Sequence, residues 1–188
     1  PKALILPKLR ETLEELKKRK PDKKPAFRAR VAIVGSEIDD PQLTKLIEGC
    51  GALVVSDRYC FGSTPGREVI ELKDDEDALR QICLHVMQHS ECARYIADEK
   101  VLQRRETADR LAKEYGAEGI IYEQMKYCDY WGFERALASH IMHDEYGWPV
   151  LSIDRLYNNG NSGQLRTRVQ AFVESLEIKR IHKEEGKE

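Results

Sequence analysis

Four short apolar runs, separated by longer amphipathic stretches, constrain the fold of this chain more than any other feature. The runs cover residues 30–35, 52–57, 119–122 and 150–154. Each is too short for a buried helix and ends at glycine or polar residues, which is typical of buried strands. Strands that alternate with helices form parallel sheets with right-handed crossovers. The pattern predicts an α/β three-layer sandwich of the flavodoxin/Rossmann-like type, with a four-stranded parallel sheet in the order 2-1-3-4.

Apolar spacing, capping residues and glycine stops predict the helices between these strands. We expect helices over residues 7–20, 42–48, 78–90, 98–115 and 131–145, and a last one that ends near residue 176 after a loop over residues 155–168. The same features divide the chain into an N-terminal helix and linker over residues 1–25, one domain over residues 26–178 and a charged tail over residues 179–188.

Charge and cysteine usage exclude several classes of function. The net charge of −2, from 31 basic and 33 acidic residues, offers no field that would favour nucleic acid or an anionic membrane. No apolar run approaches the roughly 20 residues that span a bilayer, and no signal peptide is recognisable, so we expect a cytoplasmic protein. The five cysteines include no C-x-x-C pair, which argues against a disulfide framework and against a zinc site written in one local run.

The chemistry of the chain is concentrated where strands end. The third apolar run is followed directly by Glu123, Lys126, Cys128 and Asp129, and the carboxyl ends of strands are where open α/β sheets bind ligands. After the fourth run, residues 158–163 are rich in Asn, Gly and Ser and precede a helix. They offer free backbone N–H groups to an anion, although a simple helix cap at Asn161 or Ser162 would have the same sequence. The residues alone thus indicate a soft-metal or thiol site beside an anion site.

Several separated motifs resemble one family. Residues 31–41 (VAIVGSEIDDP), 57–63 (DRYCFGS), 124–129 (QMKYCD) and 162–172 (SGQLRTRVQAF) occur in the same order in the benzoyl-CoA reductase / 2-hydroxyacyl-CoA dehydratase family, which includes the 2-hydroxyglutaryl-CoA dehydratase D-component. The likeness covers roughly residues 1–177. Subunits of that family are about twice as long, so the chain is similar to the C-terminal domain of a cluster-bearing subunit.

The resemblance implies a reaction and a set of partners. Two homologous subunits of that family each hold a [4Fe–4S] cluster through three cysteines, and a separate ATP-hydrolysing activator supplies low-potential electrons for the reduction or dehydration of a CoA thioester. The motif around Cys128 matches the third cluster cysteine, so the resemblance implies Cys128 as the candidate metal and cofactor ligand. The other two ligands of the family belong to an N-terminal half that is not in this chain. Cys60 is not carried over. Ser162, Gly163 and Gln164 are the candidate contacts to the thioester or another anion, and Glu123 is a candidate catalytic residue.

Three functions stay open on this basis. The first is the iron–sulfur catalytic subunit, where we favour reduction of an aromatic acyl-CoA of the benzoyl-CoA type over (R)-2-hydroxyacyl-CoA dehydration and expect the isolated domain to be inactive. The second is a non-catalytic flavodoxin-like binding or assembly module, in which Cys128 is replaceable. The third is a thiol enzyme with Cys128 as nucleophile and His140 or His143 as its base.

Overall fold

A computed structural model describes residues 2–20, 26–36, 39–60, 69–157 and 163–186. Its centre is a sheet of four strands, β1 (Ala29–Gly35), β2 (Ala52–Arg58), β3 (Gly119–Met125) and β4 (Val150–Arg155). All neighbouring strands are parallel, and their order is β2-β1-β3-β4. The predicted fold class and strand order are confirmed.

In the described part of the chain, six helices accompany the strands, and four of them cover the sheet. They are α1 (Lys2–Lys18), α2 (Gln42–Glu48), α3 (Ala78–Gln88), α4 (Asp98–Glu114), α5 (Asp129–Asp144) and α6 (Gly163–Glu185). On one face, buried side chains of α2 and α6 pack with Ile33, Ile121 and Ile153. On the other face, α4 and α5 pack with Ile120 and Tyr122. The side chains of neighbouring β3 residues therefore pack into opposite layers, because successive side chains of a strand point to opposite faces of the sheet.

Helices α1 and α3 take no part in either core. Neither of them contains a buried residue. The apolar residues Leu9, Leu13 and Leu16 of α1 are each more than half exposed, as is Leu79 of α3. Among the described helices, none is both long enough and apolar enough to cross a membrane.

The structure corrects several predicted element boundaries. The third strand extends to Met125 instead of ending at residue 122, because Glu123 finds ionic and hydrogen-bonding partners inside the fold. The last helix begins at Gly163 and continues to Glu185, whereas the sequence suggested a loop up to residue 168. The first helix begins at Lys2 and includes Pro7 within it.

Candidate functional site

The carboxyl edge of the sheet gathers side chains from all four strands. Ser36 follows β1, Tyr59 follows β2, Glu123 lies within β3, and Arg155 is the last residue of β4. The chain order reverses between β1 and β3, since β2 lies to one side of β1 and β3 to the other. Such a switch point is the usual ligand-binding place of an open parallel sheet.

Glu123 is the centre of a buried polar cluster at this switch point. Its side chain is fully buried. Oε1 pairs with the Arg155 Nε at 2.8 Å, and Oε2 accepts a hydrogen bond from the Ser36 hydroxyl at 3.0 Å. Gly35 lies opposite Glu123 in the β1–β3 register, and only a residue without a Cβ fits there, because an added Cβ would be 2.1 Å from the Glu123 carbonyl oxygen. We refer to Ser36, Glu123 and Arg155 as the Glu123 cluster.

Burial dominates the ionisation of this carboxyl group. Removal from water raises the pKa of Glu123 from 4.5 to about 7, and Arg155 and the Ser36 hydrogen bond oppose the rise only in part. Glu123 also contributes to the raised pKa of the Tyr59 phenol, after the larger effect of that phenol's own burial. The cluster therefore changes its net charge near neutral pH.

Stability should depend on pH through Glu123. The folded chain binds the Glu123 proton more tightly than the unfolded chain, so the stabilisation is complete below pH about 4.5 and is lost as the pH rises through about 7. The shift corresponds to about 3 kcal/mol. We expect the free energy of unfolding of the unmodified chain to fall by about this amount, relative to Glu123→Gln, between pH 4.5 and 8. Urea unfolding of both proteins across this range measures it, and parallel pH profiles would contradict it.

A tight turn carries the chain from β3 to Cys128. Tyr127 has a positive φ of 73°, a left-handed conformation that side chains other than glycine adopt rarely. The Cys128 amide donates to the Met125 carbonyl at 3.1 Å, and the Cys128 carbonyl accepts from the Gln124 side chain at 3.2 Å. Cys128 is the N-cap residue of α5, is partly buried, and packs against the core layer of α4 and α5. It thus lies at the positive end of the α5 dipole, where negative charge is favoured.

A second cysteine lies beside the first turn of α5. The indole of Trp131 donates to the Cys60 Sγ at 3.4 Å. The guanidinium of Arg58 lies 5.6 Å from the centre of the same indole, and it forms a buried ion pair with Glu91 at 2.8 Å. The sequence did not predict this arrangement, because Arg58 and Glu91 belong to distant segments without a recognisable motif.

The structure separates the other predicted site residues. Gly163 and Gln164 are the first two residues of α6 and are exposed, whereas Ser162 lies outside the described residues. A pocket next to them, lined in part by Leu165 and Tyr157, reaches Arg155 and so borders the Glu123 cluster. Cys128 belongs to the opposite layer of the sheet. The candidate anion site and the candidate metal ligand therefore share an edge but face different layers.

A complete cluster site does not fit the described residues alone. A [4Fe–4S] cluster needs several thiolates close together, and within the described ranges no three His, Cys, Asp or Glu side chains are grouped so that they could hold a metal ion. Cys128 can supply one ligand at most.

Comparisons with known proteins relate nearly the whole chain to dehydratases. The family model described as 2-hydroxyglutaryl-CoA dehydratase, D-component, matches residues 1–176. The (R)-phenyllactyl-CoA dehydratase beta subunit of Clostridium sporogenes is 28% identical over 169 residues, which is 90% of this chain and 43% of that protein. A protein of Escherichia coli (strain K12) named as a dehydratase subunit, YjiM, is 26% identical over 152 residues, which is 79% of this chain and 38% of that protein. The chain thus spans less than half the length of these relatives.

Proposed function

Because the chain belongs to the 2-hydroxyglutaryl-CoA dehydratase D-component family, we propose that it is the C-terminal domain of a catalytic subunit that dehydrates a 2-hydroxyacyl-CoA thioester. The family match over residues 1–176 is the observation that carries this proposal. The phenyllactyl-CoA dehydratase subunit among the relatives favours the lyase branch over aromatic-ring reduction, which the sequence motifs had favoured. Since that relative is named a beta subunit, we also propose a second, homologous subunit as partner.

The cofactor proposal concerns one residue of this chain. Cys128 would hold one iron of a [4Fe–4S] cluster, and residues from outside the described ranges would complete it. A thiolate is the form of cysteine that binds iron, and the N-terminus of α5 favours its negative charge. When bound, the cluster would supply low-potential electrons received from an ATP-hydrolysing activator. This chain's contribution is the position of the thiol.

The substrate proposal rests on the start of α6. Gly163 and Gln164 begin a 23-residue helix, and an added Cβ at Gly163 would meet nothing within 4 Å. The first N–H groups of a helix have no partner within it and favour an anion. We propose that they, with Ser162, contact the thioester oxygen or a phosphate of CoA. Glu123 does not touch solvent, so its part in the reaction would be to hold a proton or to position other groups.

Cys128→Ser should remove the cluster. The test is anaerobic purification, with co-purifying subunits, of the polypeptide that carries this chain, followed by iron and sulfide analysis and EPR. We expect a [4Fe–4S] signal in the unmodified protein and at least a tenfold loss of iron and of dehydratase activity in Cys128→Ser, since serine is a much poorer ligand for these clusters. The matched control is Cys83→Ser, an exposed thiol on α3, which should keep both.

Other outcomes of this experiment would support other functions. Iron content that is indifferent to Cys128 would favour a binding or assembly module. Activity without iron that still needs Cys128 would indicate a thiol enzyme. His140 and His143, however, lie on α5, 12 and 15 residues beyond Cys128 and roughly 18 and 22 Å from it along the helix axis. Neither histidine can act as a base for Cys128 in this structure. Assays with 2-hydroxyacyl-CoA and with aromatic acyl-CoA then distinguish dehydration from ring reduction.

A further inference from the structure

The end of β3 is held by both neighbouring strands. The Met125 amide donates to the Ser36 hydroxyl at 2.5 Å, and the Lys126 amide donates to the Arg155 carbonyl at 2.7 Å. The Met125 carbonyl then accepts from the Cys128 amide at 3.1 Å. The turn that carries Cys128 is therefore attached at its first two residues, once to the end of β1 and once to the end of β4.

Glu123 joins these two attachments. A serine hydroxyl has one hydrogen to donate and two lone pairs that accept. The Ser36 hydrogen goes to Glu123 Oε2 at 3.0 Å, which leaves the oxygen free to accept from the Met125 amide. Glu123 Oε1 pairs with the side chain of Arg155, and the backbone carbonyl of Arg155 accepts from the Lys126 amide. Loss of the carboxylate would thus affect both anchors of the turn.

We propose that Ser36, Glu123 and Arg155 are positioning residues that fix the turn presenting Cys128. Glu123 belongs to the layer of α2 and α6, since it alternates with Tyr122, whereas Cys128 packs against the layer of α4 and α5. The link between them therefore runs through the backbone of residues 123–128. The inference depends on the proposed function for what Cys128 binds; how the turn is held can be measured in the metal-free chain.

The test combines amide hydrogen exchange by NMR with alkylation of individual cysteines followed by mass spectrometry. In Ser36→Ala we expect the Met125 amide to exchange at least tenfold faster, while the Ile121 amide in the middle of β3 changes by less than threefold. Cys128 should be alkylated at least threefold faster relative to Cys83, the exposed thiol on α3 of the same molecule. Ser36→Thr, which retains the hydroxyl oxygen, should restore both rates.

A matched control separates positioning from general loss of stability. Ser175 on α6 is exposed and lies away from the Glu123 cluster, and its hydroxyl donates to the backbone carbonyl of Phe172 at 2.7 Å, so Ser175→Ala also removes one serine hydroxyl bond. Ser175→Ala should leave unchanged both the exchange rate of the Met125 amide and the ratio of the Cys128 and Cys83 alkylation rates. The positioning role is wrong if Ser36→Ala accelerates amide exchange at Met125 and Ile121 by the same factor. It is also wrong if the alkylation rates of Cys128 and Cys83 change equally.

The unmodified chain offers a second measurement if Ser36→Ala does not fold. The Met125 amide chemical shift should titrate with a midpoint near 7, because burial raises the pKa of Glu123 to about 7. Among the described residues, the ionisable groups that act on Glu123 are Arg155 and Tyr59. Arginine is not deprotonated in proteins, and burial raises the pKa of the Tyr59 phenol further from this pH. A Met125 shift that is flat between pH 5 and 8.5 would overturn the inference. Failure of iron binding alone would count only against the proposed function.

Discussion

Gly35→Ala is expected to lower the free energy of unfolding by about 4 kcal/mol or more, the largest effect of any single substitution discussed for this chain. The new Cβ would lie 2.1 Å from the carbonyl oxygen of Glu123 and 2.9 Å from its carbonyl carbon. These are backbone atoms of the neighbouring strand, so relief requires β1 and β3 to separate and their hydrogen bonds to weaken. A domain of this size has roughly 5–15 kcal/mol of stability in total, so much of the chain would be unfolded or close to it.

Two further glycines provide a graded comparison for that experiment. At Gly119 an added Cβ would meet the side-chain ends of Phe172 at 2.8 Å and Leu176 at 3.0 Å, which can move, so we expect a loss of about 1–3 kcal/mol. At Gly163 the space is open within 4 Å, and we expect a change within about 0.5 kcal/mol. Urea unfolding followed by circular dichroism measures the series. Equal losses at Gly35 and Gly163 would show that the close approach of β1 and β3 is not real.

Glu134→Leu is expected to cost about 3–5 kcal/mol, because it leaves the Arg104 guanidinium buried without its carboxylate. Arg104 is only 3% exposed and Glu134 only 6%, and the two groups are 2.7 Å apart. Arg104 also donates to the carbonyl of Tyr95 at 2.7 Å, so the pair connects α4, α5 and the segment before α4. Burial in a low-dielectric environment makes a broken pair expensive, although the intact pair adds little over apolar packing.

A double-variant cycle tests this explanation. Arg104→Met alone should also be strongly destabilising, since the ion pair left to Glu134 among the described residues is the longer contact of 3.4 Å to Arg105. The combined Arg104→Met and Glu134→Leu variant should be more stable than either single variant. Arg110 and Glu114 on the same helix α4 form an exposed pair at 3.8 Å, and Arg110→Met is the control without a measurable loss. Additive losses in the cycle would contradict the coupling between Arg104 and Glu134.

The sheet was predictable because its determinants are local. Short apolar runs between amphipathic helices indicate a parallel sheet, and the observed order β2-β1-β3-β4 is the one typical of flavodoxin-like folds. At the start of α3, the Asp77 side chain accepts from the Leu79 amide only two residues further along the chain. Such signals involve residues a few positions apart, which a sequence displays directly.

The interior ion pairs were not predictable, because the residues that form them are far apart in the sequence. Glu123 follows an apolar run and has a charged side chain, so a reading of the sequence places it in a loop at the end of the strand. Only Ser36 and Arg155, brought in from other strands, make its burial acceptable. The pairs Arg58–Glu91 and Arg104–Glu134 likewise join segments 33 and 30 residues apart, and nothing in the local pattern connects them. The predicted roles of Cys128, Gly163 and Gln164 stay predictions.

The position of β1 between β2 and β3 affects the folding of the chain during its synthesis as well as the stability of the folded sheet. β2 leaves the ribosome soon after β1 and can pair with one edge of it. Ser36 and Glu123 are 87 residues apart, so the other edge of β1 stays unpaired until β3 has been synthesised. At about 5–20 residues per second, synthesis of that interval takes roughly 4–17 s. During this time an apolar strand presents unpaired N–H and C=O groups that can bind another nascent chain. Translation speed between β2 and β3 should therefore govern the yield of soluble protein more strongly than translation speed after β4.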